Sequence, residues 1–205
     1  MHKKHYNFTL TNFFKNKIIE PKNLSEVKKY VKKKFTLVGN LRSYGDSSIG
    51  RNNHISLKNF NKIIKFDKKK KYIEVEAGIY LFDLLKFSIK KGFILPCMPG
   101  CKYVTLGGMI ANNVSGKLPK KNKIRDHIIS LKLLNNKNKV IECSNRKNKK
   151  LFDLTVGGKG LTGPIISAKI ILKKIYSKKI YQENICFNSY ENFKYKFDEN
   201  KKFEY

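Results

Sequence analysis

Gly39, Asn40, Ser43, Gly45, Asp46 and Ser47 crowd into one short stretch, residues 37–47, which reads LVGNLRSYGDS. These residue types tolerate positive φ or hydrogen-bond their own backbone. The apolar run 35–38 that precedes them reads as a buried strand. A strand feeding such a loop turns several backbone N–H groups toward one point and makes an anion-binding nest. The short side chains let a diphosphate come close, and Arg42 can add a charge-assisted contact. The same composition also serves as a plain surface turn, so the loop's chemistry depends on what stands around it.

Two more small-residue stretches follow. Residues 99–117, PGCKYVTLGGMIANNVSGK, combine a Pro-Gly turn, the pair Gly107-Gly108 and a run of small side chains. Residues 155–164 read TVGGKGLTGP. Three such loops in one domain suggest a long, narrow ligand held by backbone along its length. In this order the three resemble the flavin-binding signatures of the vanillyl-alcohol oxidase (PCMH-type) FAD family. Within it they are most similar to the decaprenylphosphoryl-ribose 2'-oxidase-like, FAD-linked sugar oxidases. The resemblance runs from about residue 9 to the C-terminus.

The resemblance implies an α+β fold, a PCMH-type FAD-binding domain of two α/β subdomains with the cofactor in the crevice between them. It implies a lead-in over 1–22, a first subdomain over 23–95, a second over 96–187, and the start of a truncated substrate-binding cap at 188–205. Carried over position by position, Leu37, Val38, Gly39, Asn40, Leu41, Arg42, Ser43, Tyr44, Gly45, Asp46 and Ser47 match the pyrophosphate loop. Gly100 matches the glycine after the proline, and Thr105, Leu106, Gly107 and Gly108 match a Thr-Val-Gly-Gly-like element. Asn112, Asn113, Val114 and Ser115 match the run before the Gly-Lys pair, and Ile165 matches a backbone contact at the adenine end. Tyr44 and Lys117 are candidates for substrate contact, although Lys117 reads equally well as a surface lysine after a turn. Where related sugar oxidases have His-Gly-Lys, this chain has Ser115-Gly116-Lys117. A histidine attachment is therefore absent at that point, and FAD is expected to bind non-covalently.

No residue reads as a convincing catalytic base; Asp126 and His127 match an Asp-His pair but suit a structural cap better. The implied reaction is oxidation of a CH–OH carbon on a sugar-type or lipid-linked sugar substrate. An aldonolactone or 2-hydroxyacid oxidase is the alternative. The family also implies an epimerising reductase as a partner. The aromatic-rich end, with Tyr190, Phe193, Tyr195 and Phe197, is expected to need a further domain to pack on. The chain alone should then bind FAD weakly and show no sugar oxidation.

Composition bounds the rest. With 45 Lys and Arg against 15 Asp and Glu the formal charge is +30, which raises a non-catalytic nucleic-acid binder as a rival class. Arginine, the side chain suited to bidentate phosphate and base contacts, stands only at 42, 51, 125 and 146. The lysines are spread through turns and solvent faces, so a solvated lysine surface is the simpler reading and no specific nucleic-acid partner is expected. The four cysteines and four histidines have no zinc-ligand spacing. No apolar run is long enough for a membrane helix, and the basic N-terminus lacks the apolar core of a secretory signal. A cytoplasmic location is expected, peripheral to a membrane if the substrate is lipid-linked.

The elements that must carry these loops can also be read. A helix is expected over 24–33, capped by Asn23 or Ser25, and strands over 55–57, 63–66 and 72–75. An amphipathic helix over 80–91 stops at Gly92. A short helix or tight turn covers 107–114, a hairpin joins 128–134 to 139–142, and a short helix precedes the third loop. Strands over 165–175 and 180–187 and a last helix from Asn188 or Ser189 complete the chain. Irregular mixing of helix and strand, with no G-x-G-x-x-G after a strand, argues against a doubly wound sheet.

Overall fold

A computed structural model describes residues 4–117 and 123–200. Its mixture of helix and sheet is that of an α+β domain, as expected. The stretch 118–122 and the terminal 201–205, the end of the expected cap segment, lie outside the described residues.

A short antiparallel hairpin, β1 (His5–Tyr6) and β2 (Phe13–Phe14), opens the chain. Then come β3 (Ile18–Ile19), α1 (Leu24–Tyr30) and β4 (Phe35–Val38). Helix α1 starts where expected, because the Asn23 side chain accepts from Glu26 N at 3.0 Å. With β5 (Asn53–Ser56) these strands form a parallel sheet in the order β3-β5-β4. Val27 of α1 packs on Ile55, Leu57 and Phe60 to make a small core beneath it. Residues 4–22, expected as a lead-in, thus supply a sheet edge and a hairpin. Their strands are two residues long, too short for periodicity to register.

Parallel neighbours cannot be joined by a tight turn; they need a crossover of about a dozen residues or more. Between β4 and β5 that crossover contains no helix. It is the glycine- and serine-rich loop itself, which leaves the carboxyl end of β4 and returns at the start of β5. The parallel pairing therefore forces the loop out beyond the sheet.

A five-stranded antiparallel sheet has the order β10-β9-β11-β7-β6. Its strands are β6 (Ile63–Asp67), β7 (Tyr72–Glu76), β9 (Ile128–Leu134), β10 (Val140–Cys143) and β11 (Ile165–Ile171). In β7 the alternation is plain, with Ile73 and Val75 buried between half-buried neighbours. Helix α2 (Leu81–Lys90) buries Leu81, Leu84 and Ser88, and Gly92 at φ +82° follows its end. Between the sheet and α2 lies the main core, which also takes Leu95, Met109 and Phe152. Because β6 and β7 pair into the sheet of β9 and β11, the expected boundary near residue 95 does not coincide with a break between sheets.

Beyond α2, β8 (Phe93–Ile94) precedes α3 (Leu106–Ala111), and a 3-10 turn over Ile124–His127 leads into β9. Helix α4 (Lys149–Thr155) comes before the third glycine loop. The strand expected over 165–175 is two. At Leu172 the backbone N–H donates to Lys71 O at 2.7 Å, and β12 (Lys173–Lys174) then leaves the large sheet to pair with β8. The strand expected over 180–187 is absent. The segment alternates in sequence, but it finds no ladder partner among the described residues and leaves Ile180 87% and Tyr181 78% exposed. Helix α5 (Tyr190–Glu199) begins at Ser189, whose side chain accepts from Asn192 N at 3.1 Å.

Candidate cofactor site

The three small-residue stretches meet around one cavity of about 880 Å³, at the large end for small-molecule sites. Every residue from Leu37 to Ser47 lines it, with Gly100, Thr105, Gly107, Gly108, Asn112, Val114, Ser115, Lys117 and Ile165. Two expected residues are not in the lining. Leu106 is buried in the main core, on the inward side of α3 with Met109 and Ile110. Asn113, in left-handed backbone at φ +44° after that helix, accepts through Oδ1 from Arg125 N at 3.3 Å.

The loop 39–48 is held by its carbonyls. Ser56 Oγ donates to Gly39 O at 3.4 Å, and Phe8 N donates to Ser43 O at 3.1 Å. Asn7 Nδ2 donates to Tyr44 O at 2.9 Å and to Gly45 O at 3.4 Å, and Thr9 Oγ1 donates to Tyr44 O at 2.9 Å. Among the described residues no backbone N–H between Leu41 and Ser48 donates to a protein acceptor. Ser48 Oγ is buried beside them with no partner. Residues 42 and 44–47 are exposed, so this row of donors is open to an incoming acceptor, and an anion is the fitting one.

The glycine pair contributes something different. The N–H groups of the first turn of α3 are already taken: Leu106 N by Ile79 O at 3.0 Å, Gly107 N by Ala77 O at 2.7 Å, and Gly108 N by the capping Thr105 Oγ1 at 3.2 Å. What Gly107 and Gly108 offer is proximity. A Cβ at Gly107 would stand 3.1 Å from Ala77 O, whereas at Gly108 it would meet only Thr105 Oγ1, also at 3.1 Å. Gly107 is therefore small for packing, and Gly108 is small toward the cavity. The same threonine latches the two loops, since a Cβ at Gly39 would come 2.5 Å from Thr105 Oγ1. Asn40 Nδ2 adds a bond to Tyr103 O at 2.9 Å.

The remaining lining mixes apolar residues such as Leu57, Val104 and Met109 with polar and cationic side chains. Tyr44 stands at the rim, 73% exposed, with the Phe8 ring edge-on at 5.4 Å. Lys117 lies along the second stretch so that a Cβ on Gly100 would come 3.9 Å from its Nζ. Lys58 and Lys159, unforeseen from sequence, also line the cavity; Lys58 pairs with Glu20 at 2.5 Å and Lys159 Nζ bonds Asn112 Oδ1. Lys159 lies inside the quoted third loop and Ser48 directly follows the first, so both could have been included. Asn7 and Thr9 had no sequence signal. Among the described residues the lining contains one carboxylate, Asp46, and no histidine.

Two of the cysteines are quiet. Burial pushes the thiols of Cys97 and Cys143 up to about 11, and Cys97 Sγ donates to Val114 O at 3.4 Å. Half-buried Cys101 lines the cavity. No three potential metal ligands cluster among the described residues. No helix of the described residues is long and apolar enough to cross a membrane.

Comparison with known proteins agrees with this geometry. The family described as "FAD binding domain" matches residues 16–144. The chain is similar to decaprenylphosphoryl-beta-D-ribose oxidase of Mycolicibacterium smegmatis, 34% identical over 130 residues, 62% of this chain and 28% of that protein. It is similar to D-lactate dehydrogenase of Anaerostipes hadrus, 30% identical over 127 residues, 59% of this chain and 27% of that protein. L-gulonolactone oxidase of Mus musculus is 28% identical over 154 residues, 72% of this chain and 35% of that protein. The chain thus spans about a quarter to a third of the length of these relatives. With FAD as the cofactor that the matched family binds, this chain belongs to the FAD-binding domains of the PCMH-type flavin-linked oxidoreductases.

Proposed function

We propose that this chain holds FAD non-covalently and presents it to a CH–OH carbon of a sugar-type substrate. The carrying observation is the loop 41–48, whose backbone donors lack protein acceptors beside the unpartnered Ser48 Oγ. Those donors suit the pyrophosphate, and the open side of Gly108 suits the close passage of the ligand. Bound flavin supplies a hydride acceptor. The residues around it orient the cofactor: Thr105 fixes the distance between the first two loops, and Ile165 begins the strand that closes the third side.

Arg42, Lys117 and Lys159 make the lining cationic, which suits a substrate bearing phosphate or many hydroxyls. The relatives named for a phosphoryl-ribose and a gulonolactone support the sugar class; the one named for lactate supports the 2-hydroxyacid alternative. Because Asp46 is the one carboxylate of the lining and sits in the phosphate loop, binding of substrate without its oxidation is expected from these residues.

The test is to load the chain with FAD and add a ribose phosphodiester, L-gulono-1,4-lactone or D-lactate while the visible flavin band is recorded. Sugar-type ligands should shift the band saturably, without bleaching it. A shift with lactate alone contradicts the substrate class. Failure to take up FAD contradicts the site.

A further inference from the structure

We infer that the N-terminal hairpin is a clasp that sets the phosphate loop, with Asn7 as its positioning residue. The hairpin, residues 5–14, precedes the segment matched by the family, which begins at residue 16. It lies outside the matched segment, yet it reaches the centre of the site.

Asn7 is a polar side chain only 2% exposed, and its bonds run in two directions. Toward its own hairpin, Oδ1 accepts from Asn12 N at 3.2 Å, and Nδ2 reaches Thr9 Oγ1 at 2.9 Å and Thr11 Oγ1 at 3.1 Å. Toward the loop, the same Nδ2, which has two hydrogens to share among these acceptors, donates to Tyr44 O at 2.9 Å with Gly45 O at 3.4 Å as a weaker partner. Phe8 N and Thr9 Oγ1 take Ser43 O and share Tyr44 O. The three consecutive carbonyls 43–45 are thus all held from one side by the hairpin, and no other part of the described protein bonds them. The Phe8 ring also lies under the Arg42 guanidinium, 5.9 Å from its centre.

A peptide unit whose C=O is fixed has its neighbouring N–H fixed with it, because the peptide is planar. Holding three carbonyls in a row therefore sets the orientation of the donors beside them. Without the clasp, a loop of Gly, Ser and Asp samples many conformations, and an incoming anion must order it at the expense of affinity. The clasp pre-organises the loop for a ligand bearing a diphosphate.

This inference rests on the FAD reading, and its test separates the two. ADP and adenosine are titrated into wild-type, Asn7→Ala and Thr9→Val chains, alongside FAD. For wild type, ADP should bind more tightly than adenosine. In Asn7→Ala the affinities for FAD and ADP should fall about tenfold, roughly the worth of one or two lost charge-oriented bonds, while adenosine affinity stays put. Thr9→Val removes the hydroxyl that bonds Tyr44 O, Asn7 Nδ2 and Thr11 Oγ1 and should cost about threefold in ADP affinity. Equal loss for adenosine and ADP would mean a general structural role and overturn the clasp. So would FAD and ADP affinities in both variants within error of wild type. A wild-type chain that binds neither FAD nor ADP would instead defeat the cofactor site itself.

Discussion

Gly107 and Gly108 are adjacent, yet substitution should separate stability from binding. At Gly108 a new Cβ meets only Thr105 Oγ1 at 3.1 Å, so the rest of a valine side chain extends into the cavity. Valine is a slightly better helix residue than glycine, by a few tenths of a kcal/mol, while crowding the Thr105 cap costs up to about 1 kcal/mol. Folding stability of Gly108→Val should therefore stay within about 1 kcal/mol of wild type. Binding should not, because the ligand would have to yield to the new methyl groups. Overpacking of that kind costs about 1–3 kcal/mol, which is roughly a tenfold to hundredfold loss of FAD affinity. At Gly107 the new Cβ would press on Ala77 O at 3.1 Å and Ala77 Cβ at 3.3 Å, across the bond from Gly107 N to Ala77 O. Gly107→Ala should mainly lower stability, by about 1–3 kcal/mol, or several degrees in Tm. The assay is FAD titration by flavin fluorescence beside thermal unfolding of the apoprotein. Retained FAD affinity in Gly108→Val would refute the assignment of that face to the cofactor.

Two further outcomes are expected. With Ser115 in place of a histidine, and no histidine in the lining, acid denaturation should release all bound flavin to the supernatant; colour left on the precipitated chain contradicts this. Stability should depend on pH through His54, a fully buried side chain that stacks on Phe14 at 3.5 Å and accepts from Gly50 N at 3.1 Å. Burial, assisted by nearby His5, pushes its pKa down from 6.5 to about 4. The folded state thus resists a proton that the unfolded chain accepts below 6.5, so the neutral-form advantage is complete above pH 6.5 and declines toward pH 4. At about 1.4 kcal/mol per pH unit the total is about 3 kcal/mol, and denaturant titrations at pH 7 and pH 4.5 should show a difference that His54→Phe reduces. An identical pH dependence in that variant would count against the role of His54.

The sequence revealed the loops and the longer elements because their signals are local. Alternation marked β7, the spacing of Leu81, Leu84 and Ser88 marked α2, and the small residues marked the cavity. Leu106 carried a legible warning: it stands one helical turn from Ile110, and that shared buried face keeps both out of the lining. Illegible were the features made by partners distant in sequence. The amide of Asn7 acquires meaning only when residues 44 and 45 fold over it, and residues 180–187 alternate like a strand without an edge to join. The same holds for β7, whose pairing with β11 no local pattern reveals.

The central claim is that backbone donors of the 41–48 loop hold FAD by its pyrophosphate. A titration of the purified apoprotein with FAD, repeated with ADP and with riboflavin as competitors, tests it directly. Saturable binding of one FAD per chain, displaced by ADP and not by riboflavin at the same concentration, is the predicted result. Absence of saturable binding, or displacement by riboflavin while ADP has no effect, would contradict it.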